Sequence, residues 1–380
     1  MALFIYLPCA SLLYDLSIIM PCLNEAETLG ECIKEAQNFI KKNNIKGEVV
    51  IGDNGSTDGS IEIAQNLGAV VAHVEKKGYG NASIGAIHKA KGKYIITADT
   101  DGSHEIDNIE FVEKLREGFD LVMGNRFKGE KQKDAMPFLH RYVGNPILTF
   151  IGNLFFKTNI GDFHCGIRGF TKEAFNKMDL NCSGMEFASE IVVKASLLNL
   201  NITEIPTTVF PAGRSRKPHL RTFPDGWRHL RFLLLYSPKW LFLYPGILLM
   251  FFSFFATLAI IFNNYLTIEW LPLSASVFVI SFQFVVFYAL TKIYAANHGL
   301  IPKPKNYNQI FNYFTLERGI LLGLFTVAIG IGLFFVIDKV ELIKESLKII
   351  IPASVTIILG VQIILFSFFF SIMGLKDSNP

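Results

Sequence analysis

Charge is scarce in this chain of 380 residues: Asp, Glu, Lys and Arg make up only 18%, and the formal net charge is +3. So weak a balance selects no class of partner by itself. Cysteine is scarce as well. The five present (Cys9, Cys22, Cys32, Cys165 and Cys182) form no CxxC pair and no metal-ligand spacing, so free thiols are expected. The opening "MALFIYLPCASLLY" lacks the basic stretch of a secretory signal and leads directly into a strand, so residues 1–14 read as a short tail or an early start, with a targeting segment as the alternative. A GxGxxG turn after the first strand is also missing. "GYGNAS" follows the third strand and has no third glycine, which sets a nicotinamide-binding Rossmann domain aside.

What the chain has in abundance is apolar sequence, 51% of residues with 35 Phe, and it is unevenly placed. From about residue 15 to 220 charges recur every few positions; after Leu241 four apolar stretches follow, at 241–262, 270–295, 320–337 and 349–374. Each is long enough at 1.5 Å per residue to cross a hydrocarbon core about 30 Å thick, and none carries the polar stripe of a soluble helix. The end of the second stretch and the loop from it to the third hold Lys292, Lys303, Lys305 and Arg318, whereas "NNYLTIE" between the first two holds none. The lysines of "DKVELIKESLK" are matched by acids. Positive residues stay inside, so a multi-pass protein of the cell membrane is expected, its soluble domain and C-terminus cytoplasmic.

In the soluble part "LSIIM", "GEVVIGD", "AVVAHV" and "KYIITAD" read as buried strands alternating with helices such as "NEAETLGECIKEAQNFIKK". That alternation predicts an α/β fold with a mostly parallel, doubly wound sheet. The expected organisation is a catalytic domain over 15–212, a basic amphipathic juxtamembrane segment over 213–240 and a four-helix transmembrane domain over 241–374. Ligands of such sheets bind beyond the carboxyl ends of the strands. There the chain places Pro21–Glu25, Asp53–Asp58, Lys77–Gly80 and Asp99–Gly102.

Asp99 and Asp101 lie one residue apart at the end of an apolar strand. Alone they are equally readable as a solvated turn before a helix or as ligands of Mg²⁺ or Mn²⁺, which favour one or two carboxylates plus phosphate oxygens. Context favours the metal. With "SIIMPCLNEAETL", "VVIGDNGSTDGS", "KKGYGNASIGAIHKAKGKYIITADTDG" and "DLVMGNRF", the chain resembles the family 2 glycosyltransferases of GT-A fold over roughly residues 15–245. "GDFHCGIRGFTKEAF", "GMEFASEIVVKA" and "DGWRHLRFLLLYSPKWLF" are similar to the polyprenyl-phosphate branch, which includes dolichyl-phosphate sugar synthases.

The resemblance implies roles. Pro21, Asn24 and Glu25 line the nucleotide pocket, Asp53 and Asn54 read base and ribose, and Lys77 meets the donor phosphates. Asp99 and Asp101 hold the metal; Arg126 and Arg141, with Asn145 beside them, hold the acceptor phosphate. Asp162 and Glu186 are further catalytic candidates. Two departures stand out. Asn54 replaces a second aspartate, which leans the donor toward uridine over guanosine, and Gly102 stands where relatives often carry another acid. His164 reads as a structural histidine, since a phosphate acceptor is already anionic and needs no strong base.

The stretch 212–242 mixes Arg214, Arg216, Lys217, Arg221, Arg228 and Arg231 with Trp227, Phe232, Tyr236 and Trp240, the pattern of an interfacial helix and not of a nucleic-acid surface. The reading is an inverting, metal-dependent transfer of one sugar from a nucleotide diphosphate, UDP favoured and GDP the alternative, to polyprenyl phosphate at the cytoplasmic face. A processive polysaccharide synthase needs a QxxRW motif, and Trp227, Trp240 and Trp270 follow Gly226, Lys239 and Glu269 instead. A non-catalytic scaffold is disfavoured by the intact "ADTDG" and "DNGSTD". Nothing in the sequence specifies whether the chain forms homo-oligomers.

Overall fold

The computed structural model describes residues 13–130, 135–215, 221–262, 267–303, 307–337 and 343–374. Cys9, Arg216, Lys217 and Lys305, like most of the opening tail, lie outside these residues. The chain divides into two compact units, ending and beginning at Leu233 and Leu234.

The first unit alternates β1 (Tyr14–Cys22), α1 (Leu29–Lys42), β2 (Gly47–Asp53), α2 (Ser60–Asn66), β3 (Val70–His73), α3 (Tyr79–Lys89), β4 (Gly92–Thr97), α4 (Glu110–Arg116) and β5 (Leu121–Asn125). It continues through α5 (Asn145–Phe156), β6 (Arg168–Thr171), α6 (Lys172–Met178), α7 (Phe187–Leu197), β7 (Ile202–Pro206) and α8 (Thr222–Leu235). The seven strands form one sheet in the order β3-β2-β1-β4-β6-β5-β7. Pairs β1–β2, β1–β4, β2–β3 and β5–β7 are parallel; β6 runs antiparallel between β4 and β5. This is the mostly parallel α/β sheet that the alternation predicts. The reversed β6 was not foreseen, because a four-residue strand running directly into α6 gives little periodicity.

Leu16, Ile18, Ile19 and Met20 are fully buried, as expected of a central parallel strand covered on both faces. Against them α1 sets Leu29, Cys32, Ile33, Ala36 and Phe39, one apolar stripe at helical spacing. Phe111, Phe163 and Phe170 are buried as completely, each contributing about 2–3 kcal/mol of apolar burial.

The second unit holds α9 (Tyr244–Phe262), α10 (Leu271–Asn297), the short α11 (Tyr307–Tyr313), α12 (Leu316–Ile337) and α13 (Ile343–Gly374). Among the described residues, four helical stretches are long and apolar enough to cross a membrane: Lys239–Phe262, Ile268–Asn297, Leu316–Phe335 and Glu345–Gly374. Each begins a few residues before the expected run, since flanking residues join the first turn. Gly323 and Gly360 let α12 and α13 close on one another; a Cβ on Gly360 would lie 2.7 Å from the Gly323 carbonyl.

Candidate active site

The carboxyl ends of β1, β2 and β4 gather the predicted acidic residues. Asp53, buried at the end of β2, accepts the backbone N–H groups of Gly55 and Ser56, each at 3.0 Å, and so closes its own turn. Pro21 lies in β1 and its carbonyl accepts the Thr100 hydroxyl at 3.2 Å. Asn24 adopts a left-handed backbone (φ 56) that asparagine tolerates, and its Oδ1 accepts the Thr57 N–H at 2.8 Å.

Asn54 was expected to read the base. Its amide N–H groups instead donate to the Val74 and Lys76 carbonyls at 3.0 and 2.8 Å, and its Oδ1 accepts the Gly78 N–H at 2.7 Å. The side chain therefore braces the loop after β3, and a single lone pair on Oδ1 remains for a ligand. Lys77 donates to the Asn54 carbonyl at 2.5 Å, beside Gly55.

Asp99 is engaged on both oxygens. The Tyr79 hydroxyl donates to Oδ1 at 2.9 Å, and His104 Nε2 lies 3.3 Å from Oδ2. Burial raises its pKa, but His104, Tyr79 and Arg168 outweigh burial and hold the carboxyl below the ordinary aspartate range. Burial and the neighbouring Asp99 keep the Tyr79 phenol protonated. Asp101 Oδ1 accepts the Ser103 N–H at 3.0 Å across Gly102, whose φ of 70 permits that tight return.

Asp101 Oδ2 meets a cation. Arg214 Nη2 lies 3.0 Å away, while its Nη1 lies 3.3 Å from Glu25 Oε1. The Gly213 N–H donates to the Asp101 carbonyl at 2.9 Å, and Ser215 binds both carboxylate oxygens of Glu27, laying this segment along the loop. Sequence reasoning counted Arg214 toward the membrane. The overlooked signal is the Gly–Arg–Ser break inside the basic run, which favours a docked turn over a solvated helix.

A second group of residues lines a cavity of about 430 Å³ in the same unit. Its walls are mainly apolar, among them Leu139, Ile147, Met185 and Leu230; Arg126, His140, Asn145, His164, Thr222, His229 and Asp225, the last paired with Arg228 at 3.1 Å, supply the polar lining. Arg126 is locked to Asp162 by two parallel bonds, Nε to Oδ2 at 2.6 Å and Nη2 to Oδ1 at 2.8 Å. Burial opposes the arginine's charge, but the fully buried Asp162 reverses that and raises its pKa. Asp162 thus orients the arginine. Arg141 stacks over Tyr142 at 5.2 Å, half-buried on the turn before α5, and is not part of the cavity wall. Glu186 begins α7 with its carboxylate toward Gly184, its buried Oε2 unbonded among the described residues. One turn on, Glu190 is structural: it pairs with Lys194 at 3.0 Å and accepts the Asn181 and Cys182 N–H groups.

Residues 162–168 join the two groups. Asp162 holds Arg126, His164 lines the cavity, and Gly166 stands against Asp99, where a Cβ would fall 2.3 Å from Oδ2. Only glycine leaves that carboxylate its place.

Burial is the main reason His229 has its pKa lowered from 6.5 to about 4. A group depressed in the folded state contributes stability that is complete above pH 6.5 and is lost as pH falls toward 4, amounting to on the order of 3 kcal/mol. Chemical denaturation of the full chain in detergent should show that loss over pH 6.5 to 4, with a shallower slope in His229→Gln.

Around the cavity mouth the surface is unusually apolar. Val143, Ile147, Phe150 and Leu154 are exposed at helical spacing on and just before α5, and Phe223 and Trp227 are exposed on α8. The sequence marked α8 as interfacial and missed α5.

Comparison with known proteins agrees with this arrangement. The family described as Glycosyl transferase family 2 matches residues 17–179, and Glycosyltransferase family 2 C-terminal transmembrane region matches 289–374. The low-salt glycan biosynthesis hexosyltransferase Agl6 of Haloferax volcanii is 40% identical over 233 residues, 61% of this chain and 56% of that protein. The chain thus spans little more than half the length of that relative. Glycosyltransferase AglJ of the same organism is 32% identical over 55% of this chain and 67% of its own length. The UDP-N-acetylglucosamine–dolichyl-phosphate N-acetylglucosaminyltransferase of Methanococcus voltae is 29% identical over 50% of this chain and 83% of its own. By its sheet, its paired aspartates, its apolar C-terminal helices and these matches, the chain belongs to glycosyltransferase family 2.

Proposed function

We propose that the protein transfers one sugar from a nucleoside-diphosphate donor, UDP-linked in preference to GDP-linked, to a polyprenyl phosphate. The observation that carries this reading is the apolar cavity lined at its polar end by Arg126, with the paired aspartates on the far side of one shared loop. An isoprenoid chain suits the apolar walls, and Arg126, with Nε and Nη2 on Asp162, keeps its remaining guanidinium N–H groups for the phosphate. The exposed faces of α5 and α8 would rest in the headgroup layer, so the lipid tail need not leave the bilayer. The lysines between the second and third spans support a cytoplasmic orientation.

In this reading an acceptor phosphate oxygen forms the bond to the anomeric carbon as the bond to the diphosphate breaks on the opposite face. The electron pair leaves on the diphosphate, and the configuration inverts. The acceptor is already an anion, so the chain's task is to position it and exclude water.

Asp99 and Asp101 fit Mg²⁺ or Mn²⁺: two carboxylates with hard oxygens are offered, and Arg214 already occupies a cation's place on Asp101. The ion would neutralise charge on the departing diphosphate. Among the described residues no third acidic, histidine or cysteine ligand joins them, which leaves coordination positions for phosphate. Removing the competing guanidinium should therefore tighten donor-free Mn²⁺ binding by roughly tenfold in Arg214→Gln, read by calorimetry. Unchanged Mn²⁺ affinity would show that Arg214 does not guard this position.

The test of function uses membranes containing the protein, radiolabelled UDP- and GDP-sugars, and undecaprenyl phosphate. Label should become extractable into organic solvent from a UDP-sugar; label retained only in polymer or in water would refute the reading.

A further inference from the structure

Beside Arg126 the cavity has a second polar group that the reaction so far leaves without a task. His164 Nε2 lies 3.1 Å from Ser189 Oγ, and Ser189 Oγ lies 2.9 Å from His229 Nδ1. The two rings meet edge to face at 4.5 Å. Ser189 is fully buried and His229 nearly so. His164 Nδ1 is buried and takes no hydrogen bond among the described residues, although its ring lines the cavity. An imidazole nitrogen held out of water without a partner is costly unless a ligand completes it.

We propose that His164 Nδ1–H is a direct hydrogen-bond donor to the phosphate of the lipid acceptor, with Ser189 and His229 as positioning residues that fix its tautomer. This rests on the function proposed above and adds a residue to it.

The chain of hydrogens explains the choice. The serine hydroxyl has one proton, so the row has two states. In one, His229 Nδ1–H donates to Ser189, Ser189 donates to His164 Nε2, and His164 carries its proton on Nδ1, ready to donate. In the other every hydrogen points the opposite way, and His164 Nδ1 presents a lone pair that would repel a phosphate oxygen. An anion in the cavity therefore selects the first state. Arg126 cannot hold the anion alone at full strength, because Nε and Nη2 are both committed to Asp162 and the pair is neutral overall. An uncharged imidazole supplies the missing donor. Burial, His229, Arg126 and Arg168 all act to keep His164 unprotonated, so the ring has no extra proton to surrender to the attacking oxygen.

The test uses the full chain in detergent or nanodiscs with farnesyl phosphate as acceptor probe. His164→Gln, whose amide reaches toward the Nε2 position, should raise the acceptor KM on the order of tenfold and leave the donor KM unchanged. His164→Asn, whose amide falls near Nδ1, should recover much of the loss, a rescue that a merely structural histidine would not show. Ser189→Ala should raise acceptor KM by a smaller factor. In parallel, ¹⁵N-histidine spectra should show the His164 Nδ1 signal moving to the protonated position on adding farnesyl phosphate, but not farnesol, with both rings neutral. This spectrum decides the matter if a variant fails to fold. An unmoved Nδ1 signal in protein that binds farnesyl phosphate overturns the inference and leaves the proposed function standing. Equal acceptor KM for wild type and His164→Gln does the same. Absence of farnesyl phosphate binding overturns the proposed function itself.

Discussion

On the proposed function, Asp101→Ala should reduce sugar transfer by roughly a thousandfold or more, because it removes one of the two carboxylates that would hold the metal ion. The fold should survive. Asp101 shares Arg214 with Glu25, whose Oε1 lies 3.3 Å from the guanidinium, so the substitution leaves no buried charge unpaired. Its other partner, the Ser103 N–H, sits in a turn open enough for water to replace the carboxylate. Single-turnover transfer assays and thermal unfolding of the same preparation separate the two effects. Turnover near that of wild type would remove Asp101 from the site.

Asp162→Asn should behave in the opposite way, failing first in stability. Asp162 is fully buried, and an amide in its place cannot balance the Arg126 charge; stranding a buried charge costs about 3–5 kcal/mol. The unfolding midpoint in denaturant should fall sharply, and whatever remains folded should bind acceptor poorly because the guanidinium loses its fixed orientation. The double variant Arg126→Met with Asp162→Leu distinguishes the causes. Replacing both charges by apolar groups should restore stability and leave transfer absent. Recovery of transfer in the double variant would show that the pair is structural only.

Much of the sheet was legible because a parallel strand covered on both faces must be a continuous apolar run, and "LSIIM", "GEVVIGD" and "KYIITAD" leave no other reading. The spanning helices were legible for a related reason: an apolar stretch with no polar stripe has few other environments. The reversed β6 and the exposed apolar face of α5 were not: a four-residue strand shows no period, and an apolar stripe at helical spacing reads the same whether it faces a core or a membrane surface.

At the site, strand ends announced Asp53, Asp99 and Asp101, because acidic residues after buried runs are conspicuous. Partners were hidden. Tyr79, His104 and Arg214 come from 20 residues before Asp99 to 113 residues after Asp101, and only folding shows that they converge. Asn54 is a further case: its identity suggests base recognition, and only folding shows that its amide protons hold the Val74 and Lys76 carbonyls while one lone pair on Oδ1 remains.

The stretch from Asp162 to Arg168 touches both halves of the site: it fixes Arg126 at one end and crowds Asp99 at Gly166. On the proposed assignment of the two halves, donor and acceptor are not independent tenants. Whatever factor a bound donor adds to acceptor affinity by shifting this stretch, the acceptor must return to donor affinity in equal measure, since the two orders of loading end in the same ternary complex.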